Sequence, residues 1–304
     1  MQLYIYFLGT GGSWPSVQRN VSAVAVKRGG EVILFDCGEG TQRQIQRSQL
    51  SYMQIKSIFI THYHGDHFLG LPGFIQTLQL NDREEPLHIY GPKGTKRIVE
   101  TIIRLGYFRP SYEIHAHELH PGDSIRFEGY CVRCIDACHN VPSLAYSLEE
   151  DVRPGKFNKK RALELGVPEG RLFSQLQHGK EVEVNGTVVT PDMVLGPPRP
   201  GRKITISGDT KPCPQLVEFA RGSDVLIHDA TFESSLEEKA REYGHSTARQ
   251  AAEIAQKAEV GTLFLTHISP RYRDASVLEK EAQEIFPSSH AASDFMEFEV
   301  KLKK

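Results

Sequence analysis

The chain predicts an α/β fold, and three observations carry that expectation. Short apolar runs of strand length alternate with amphipathic stretches across glycine-rich turns. Several runs end abruptly in histidine or aspartate, as strands do where a sheet delivers ligands to its rim. One basic, proline-rich excursion, about residues 149 to 203, interrupts the alternation and then lets it resume.

Taken in order, Leu3 to Leu8, Val21 to Val26 and Val32 to Phe35 read as strands, turning at Gly9-Thr-Gly-Gly12 and Gly29-Gly30. The Gly9 loop lacks the Lys-Ser/Thr of a phosphate loop and the spacing of a dinucleotide turn, so it makes a poor nucleotide cradle. Asp36-Cys-Gly-Glu-Gly40 opens a polar helix to about Leu50. Ile55 to Ile60 predicts a buried strand, Phe68 to Leu80 a helix despite Pro72, Leu87 to Tyr90 a strand and Gly94 to Leu105 a helix. Tyr112 to His117, Ser124 to Phe127 and Tyr130 to Ala137 predict strands. Within the excursion, Glu181 to Thr190 is a hairpin with Asn185-Gly186 at its tip. Afterwards Ile204 to Ile206, Val225 to His228 and Leu263 to Thr266 predict strands, and His245-Ser-Thr-Ala248 opens a helix to about Ala258, capped by Ser246 or Thr247.

Bulk properties narrow the class. With 304 residues and 39% hydrophobic content the chain can bury a large core. Its 36 basic and 38 acidic residues give no overall attraction to polyanions, so such contacts must be local. Five cysteines are odd in number and sparse, which fits a reducing cytoplasm, and the lone Cys131-Val-Arg-Cys134 reads as strand cysteines. The N-terminus lacks the basic start of a signal peptide, and no run approaches the ~20 apolar residues of a membrane span, so no membrane is expected.

The chemistry concentrates at His62-Tyr-His64-Gly-Asp66-His67, directly after the Ile55 strand. Four polar side chains at a buried strand end would need partners, and a metal supplies them. His139, Asp209 and His267, each following a predicted strand, bring the candidates to seven, five His and two Asp. That set suits two metals sharing a carboxylate, zinc by ligand type, with Mn or Fe compatible. His115, His117 and His120 have no carboxylate or cysteine at ligand spacing and read as exposed strand histidines.

The excursion carries a different signal. Arg153, Lys156, Lys159, Lys160, Arg161, Arg171 and Lys180 face only Glu164 and Glu169 between residues 152 and 180. Leu163, Leu165, Val167 and Leu172 look too few for an independent core, and Gly196-Pro-Pro-Arg199-Pro-Gly-Arg202-Lys203 makes a stiff basic exit. A protruding arm that grips a polyanion fits this composition, against the plainer alternative of a solvated insertion.

These motifs resemble the metallo-β-lactamase superfamily over nearly the whole chain. Pro15-Ser-Val-Gln-Arg19-Asn20, the basic insertion, His228-Asp-Ala-Thr231 and His245-Ser-Thr247 are similar to one family within it, ribonuclease Z, the tRNA 3′-processing endonucleases. The resemblance implies one domain over 1–304, an αβ/βα sandwich with the arm inserted at 149–203. It implies one zinc on His62, His64 and His139, another on Asp66, His67 and His267, and Asp209 bridging them. The activity it implies is removal of the 3′ trailer from precursor tRNA, leaving a 3′-hydroxyl and a 5′-phosphate, in a homodimer whose arm holds the tRNA cut by the other subunit.

On that reading Asp66 orients or deprotonates the nucleophile, and His245, oriented by Asp229, protonates the leaving oxygen. Arg19 and Asn20 would hold acceptor-stem phosphates, while Arg153, Lys156, Lys159, Lys160, Arg161, Arg199 and Arg202 would hold the tRNA body, with no DNA partner expected. Two departures stand out, Val17 where the family has lysine and Asp229 where it has glutamate. Trp14 reads first as packing and second as a stacking surface for a base, and Tyr107 and Phe108 share that ambiguity. The competing classes are a metallo-phosphodiesterase for small substrates and a non-catalytic RNA binder.

Overall fold

The strands Leu3–Gly9 and Ile55–Phe59 bury nearly every side chain, so both faces of their sheet must be covered. The computed structural model, which describes residues 1–303, covers them with a second sheet inside and helices outside. The first sheet runs from Glu297–Glu299 through Leu3–Gly9, Ala23–Arg28, Glu31–Phe35, Ile55–Phe59 and Leu87–Gly91 to Ile114–Glu118. The second runs from Ser289–Ala291 through Thr262–Thr266, Val225–Asp229, Lys203–Ile206, Leu144–Glu150 and Tyr130–Asp136 to Ser124–Phe127. Their facing sides form one core around Phe7, Phe35, Phe59, Tyr146 and Phe264. Outer cores pack helices such as Leu71–Leu80 on the first sheet and Ala248–Lys257 on the second. This is the expected αβ/βα sandwich.

Differences from the sequence reading have local causes. The helix expected over Phe68 to Leu80 divides into Gly65–Phe68 and Leu71–Leu80, because Pro72 is tolerated only in a first turn. The polar helix after Asp36 shortens to Thr41–Arg47. The central strand Leu144–Glu150 escaped prediction, since Leu-Ala-Tyr-Ser-Leu-Glu-Glu contains no β-branched residue to mark it.

The excursion has its own small core, contrary to expectation. Helices Lys159–Glu164 and Arg171–Gln177 and the hairpin Val182–Val184/Thr187–Val189 pool Ala162, Val167, Leu176, Val182, Val189 and Val194, all buried, with Phe157 and Phe173 alongside. The hairpin tip is as predicted, with Asn185 and Gly186 at φ 52° and 76°. At the base, Phe157 bridges Leu195, and Gly155 lies so close to the Gly196 carbonyl that no side chain would fit.

Arg202 is a correction. It is buried, with Nε and Nη2 donating to the Glu150 carboxylate at 2.7 and 2.8 Å and the guanidinium also bonding the Val300 and Met1 carbonyls. Four of its five donors are spent tying the arm's base to Glu150, Val300 and Met1, and its burial leaves nothing to offer a phosphate. Arg28 also bonds Glu150, at 3.0 Å. Replacing Arg202 by Met should therefore leave a buried carboxylate half-paired and cost about 3 kcal/mol of stability. Denaturant unfolding measures this; a loss below about 1 kcal/mol would put the pair in the weak, solvent-screened class.

Candidate metal centre

Strand ends in both sheets converge on one rim. The Ile55–Phe59 strand runs out into Thr61 to His67, Tyr130–Asp136 leads to His139, Lys203–Ile206 to Asp209, and Thr262–Thr266 to His267. All seven expected ligands meet there. Ligand atoms of His62, His64, His139 and Asp209 form one group within 4.8 Å, and those of Asp66, His67 and His267 another. His64 Nδ1 lies 3.0 Å from His62 Nε2 and 3.2 Å from His139 Nε2. His267 Nε2 lies 3.1 Å from Asp66 Oδ2. Asp209 Oδ2 touches both groups, 3.6 Å from His62 Nε2 and 3.3 Å from His67 and His267 Nε2.

The donors fit metal ions. Zinc–nitrogen bonds of about 2.0–2.1 Å in tetrahedral array separate ligand atoms by about 3.3 Å, which these spacings bracket. His67 Nε2 is buried with no hydrogen-bond partner, an orphan that an ion would satisfy. The carboxylates are held ionised. Burial would raise the pKa of Asp209, but His267, His67 and His62 pull it well below the usual range. Asp66 is likewise lowered, its burial outweighed by the neighbouring His267 and His67.

Outer partners fix which ring nitrogen faces inward, and the sequence reading found few of them. Asp36 Oδ2 accepts from His67 Nδ1 at 2.8 Å, and the Thr61 hydroxyl, which donates to Asp36, accepts from His62 Nδ1 at 3.1 Å. The arrangement repeats across the cleft. Asp229 Oδ2 accepts from His245 Nδ1 at 2.9 Å, while Thr231, donating to Asp229 Oδ1 at 2.7 Å, accepts from His267 Nδ1 at 2.9 Å. His139 Nδ1 donates to the Gly244 carbonyl at 2.8 Å. In each ligand so held, Nε2 keeps a lone pair for the site. Asp36 and His267 both sit at φ 58°, strained backbone of the kind that clusters at functional sites. At Gly12 an added Cβ would fall 2.5 Å from the His267 ring, so the Gly9 loop serves as a wall of this cleft. Asp36 is legible only as a helix opener and Thr231 only as the end of the His228-Asp-Ala-Thr231 motif, and no sequence signal marks Thr61.

His245 stands beside the metal group, its ring 4.9 Å from that of His267 and Nδ1 3.9 Å from Asp209. Burial works against its charged form, yet Asp229 outweighs this and pushes its pKa up to about 9. Asp229 is itself fully buried and accepts from the Thr210 and Thr231 amides.

The expected RNA contacts are distributed differently. Arg19 turns inward, Nη1 donating to the Thr10 hydroxyl and the Ala292 carbonyl, while Asn20 bonds the Glu39 carbonyl. With those donors satisfied by the protein, both residues brace the loop. Arg153 bonds the Pro200 and Lys303 carbonyls, and Arg199 that of Pro154. Lys159 and Arg161 make exposed pairs with Glu169 and Glu164. Lys156 and Lys160, with Arg171 and Lys180, are exposed and without ion pairs among the described residues. His115 and His117 lie away from the centre, stacked with His88 on the outermost strands of the first sheet. Cys131 and Cys134 are free thiols on one strand.

Comparison with known proteins agrees with this geometry. Residues 31–268 match the family described as the beta-lactamase superfamily domain. Ribonuclease Z of Methanosarcina acetivorans is 51% identical over 299 residues, covering 98% of both chains, and that of Methanosarcina mazei is 50% identical over the same span. The crystal structure of human tRNase Z, short form, aligns with a TM-score of 0.72 at 30% identity, covering 98% of this chain and 100% of that one. The chain belongs to the ribonuclease Z family of the β-lactamase superfamily and is an endoribonuclease.

Proposed function

We propose that the chain removes the 3′ trailer from precursor tRNA as a cytoplasmic homodimer carrying two zinc ions per subunit. The observation that carries this reading is the convergence of seven donors beside the His245–Asp229 pair. His62, His64 and His139 would hold one ion, Asp66, His67 and His267 the other, with Asp209 shared. When bound, the ions supply an ionised water at neutral pH and offset charge on the phosphate.

The side chains account for the remaining steps. Asp66, fixed by the Ser13 amide at 2.6 Å and by His267, orients the attacking water and takes its proton. Water oxygen joins phosphorus as the bond to the 3′ oxygen breaks. That oxygen stays on the tRNA and takes a proton from His245 Nε2. Asp229 holds the ring's other nitrogen and steadies the imidazolium, and at 2.9 Å the shorter carboxylate found here still reaches it. The product is a 3′-hydroxyl on the tRNA and a 5′-phosphate on the trailer.

The arm would grip the tRNA body through Lys156, Lys160, Arg171 and Lys180, and through Lys159 and Arg161 once phosphates displace their surface partners. A phosphodiesterase for small substrates would need no such arm, and the arm's separate core favours a dedicated binding module over a solvated loop.

Three outcomes test this reading. A 5′-labelled precursor tRNA should be cut once, at the acceptor end, by the zinc-loaded protein; chelation should abolish the cut and zinc restore it, and cleavage persisting in protein shown to be metal-free would refute the zinc mechanism. His245→Ala should slow single-turnover cleavage by about 10²–10⁴ with zinc content unchanged. It should affect bis(p-nitrophenyl) phosphate far less, because nitrophenolate leaves without a proton. Equal losses on both substrates would make His245 a structural residue. Removing residues 156–195 and joining Gly155 to Gly196 should abolish precursor cleavage but spare bis(p-nitrophenyl) phosphate hydrolysis, and loss of both activities would withdraw the arm's assigned role.

A further inference from the structure

Trp14 is the only tryptophan in the chain, and it is 61% exposed. That overturns the expectation that it packs. Among the described residues no ring stacks on its indole and no hydrogen bond holds its Nε1. Exposure here is not a matter of a loose loop. The Gly12 amide donates to the Ile268 carbonyl, Ser13 to Asp66, Trp14 to the Gly12 carbonyl and Ser16 to the Arg19 carbonyl. Arg19 is anchored to Thr10 and Ala292, and Asp294 accepts from the amides of Thr10 and Asn20. Ser13 is held at φ 71°. The loop is thus pinned on both flanks with a large aromatic face presented to solvent one peptide away from the Asp66 carboxylate. Val17, three residues on in the same loop, is 98% exposed.

We propose that Trp14 is a stacking platform for the base of the first trailer nucleotide, immediately 3′ of the cut. The inference rests on the RNA-cleaving function proposed above. In an in-line displacement the attacking and leaving oxygens lie on opposite sides of phosphorus. His245 marks the leaving side, where the last tRNA nucleotide sits, and Asp66 marks the attacking side. The trailer ribose hangs from an equatorial oxygen of the same phosphorus and so departs sideways from the axis between them, where the wall beside Asp66 is Ser13-Trp14. Every base has a π-face, so such a platform accepts any trailer sequence while fixing the register of the scissile phosphate.

Because Trp14 is the single tryptophan, indole emission reports on it alone. Titrating the zinc-loaded protein with a precursor whose bridging 3′ oxygen at the cut is replaced by methylene should quench that emission, whereas mature tRNA without a trailer should not. Trp14→Ala should lower kcat/KM for precursor about ten- to a hundredfold with zinc content unchanged, and Trp14→Phe should recover most of it. A precursor abasic at the first trailer position should be cut equally by wild type and Trp14→Ala, while one abasic on the tRNA side should keep the difference. The proposal is overturned by unchanged emission at saturating precursor, by Trp14→Ala cleaving as wild type does, or by a penalty that survives the abasic trailer nucleotide. Wild-type protein that does not cut precursor tRNA at all would instead remove the functional reading on which it rests.

Discussion

Five imidazoles and two carboxylates crowd one rim, four of them buried, and the whole structure answers to the cost of holding them there. Ring nitrogens 3.0 to 3.2 Å apart gain little from one another unless something positive lies between them, and His62, His67, Asp209 and His267 are buried away from water. Asp209 is the element common to both halves, its one oxygen within reach of His62, His67 and His267. It stands on the turn after a strand of the second sheet, while His62 to His67 stand after a strand of the first. The centre therefore exists only when the two sheets are packed in register, which ties the ligand geometry to the Phe7–Phe35–Phe59–Phe264 core between them.

That dependence explains what was legible in the sequence and what was not. His62 to His67 could be found because one strand end presents them contiguously. His139, Asp209 and His267 could be found because each follows an apolar run, so the rule that strand ends supply ligands covers them all. Asp36, Thr61 and Thr231 act one bond further out, by hydrogen bonds to ring nitrogens whose partners are set by tertiary packing. Aspartate after a strand and threonine beside histidine carry no periodic or compositional mark. The strand Leu144–Glu150 was lost for a related reason: its place between Tyr130–Asp136 and Lys203–Ile206 is dictated by two-sided burial, which its residue types do not advertise.

The arm shows the limit of reading charge by count. Its basic residues form one compositional block, yet they divide by environment into three kinds. Arg202 is internal and structural, Arg153 and Arg199 bond backbone carbonyls at the hinge, and the lysines of the first helix and its approach face solvent. Arginine's fork suits the first two tasks, where several carbonyl or carboxylate oxygens must be met in one plane. Lysine, a point charge on a flexible stem, suits a phosphate backbone recognised by shape. The small core of Val167, Leu176, Val182 and Val189 gives this surface a packed support of its own, apart from the cores of the sandwich.

The paired relays give the cleft its coherence. Asp36 holds His67 directly and His62 through Thr61; Asp229 holds His245 directly and His267 through Thr231. Each threonine hydroxyl spends its only proton on the carboxylate, so it can only accept from the imidazole behind it, and the ring's tautomer follows. On the Asp229 side the proposed mechanism gives the two histidines different work, one as metal ligand and the other as proton donor. Their rings stack at 4.9 Å because one carboxylate sets both. A change in the reach of that carboxylate is therefore felt by both groups at once. With aspartate at this position the side chain is shorter, and the flanking Thr210 and Thr231 amides clamp it where both bonds remain possible. The proposed acid and the proposed ligand are consequently one mechanical unit, set by a single carboxylate.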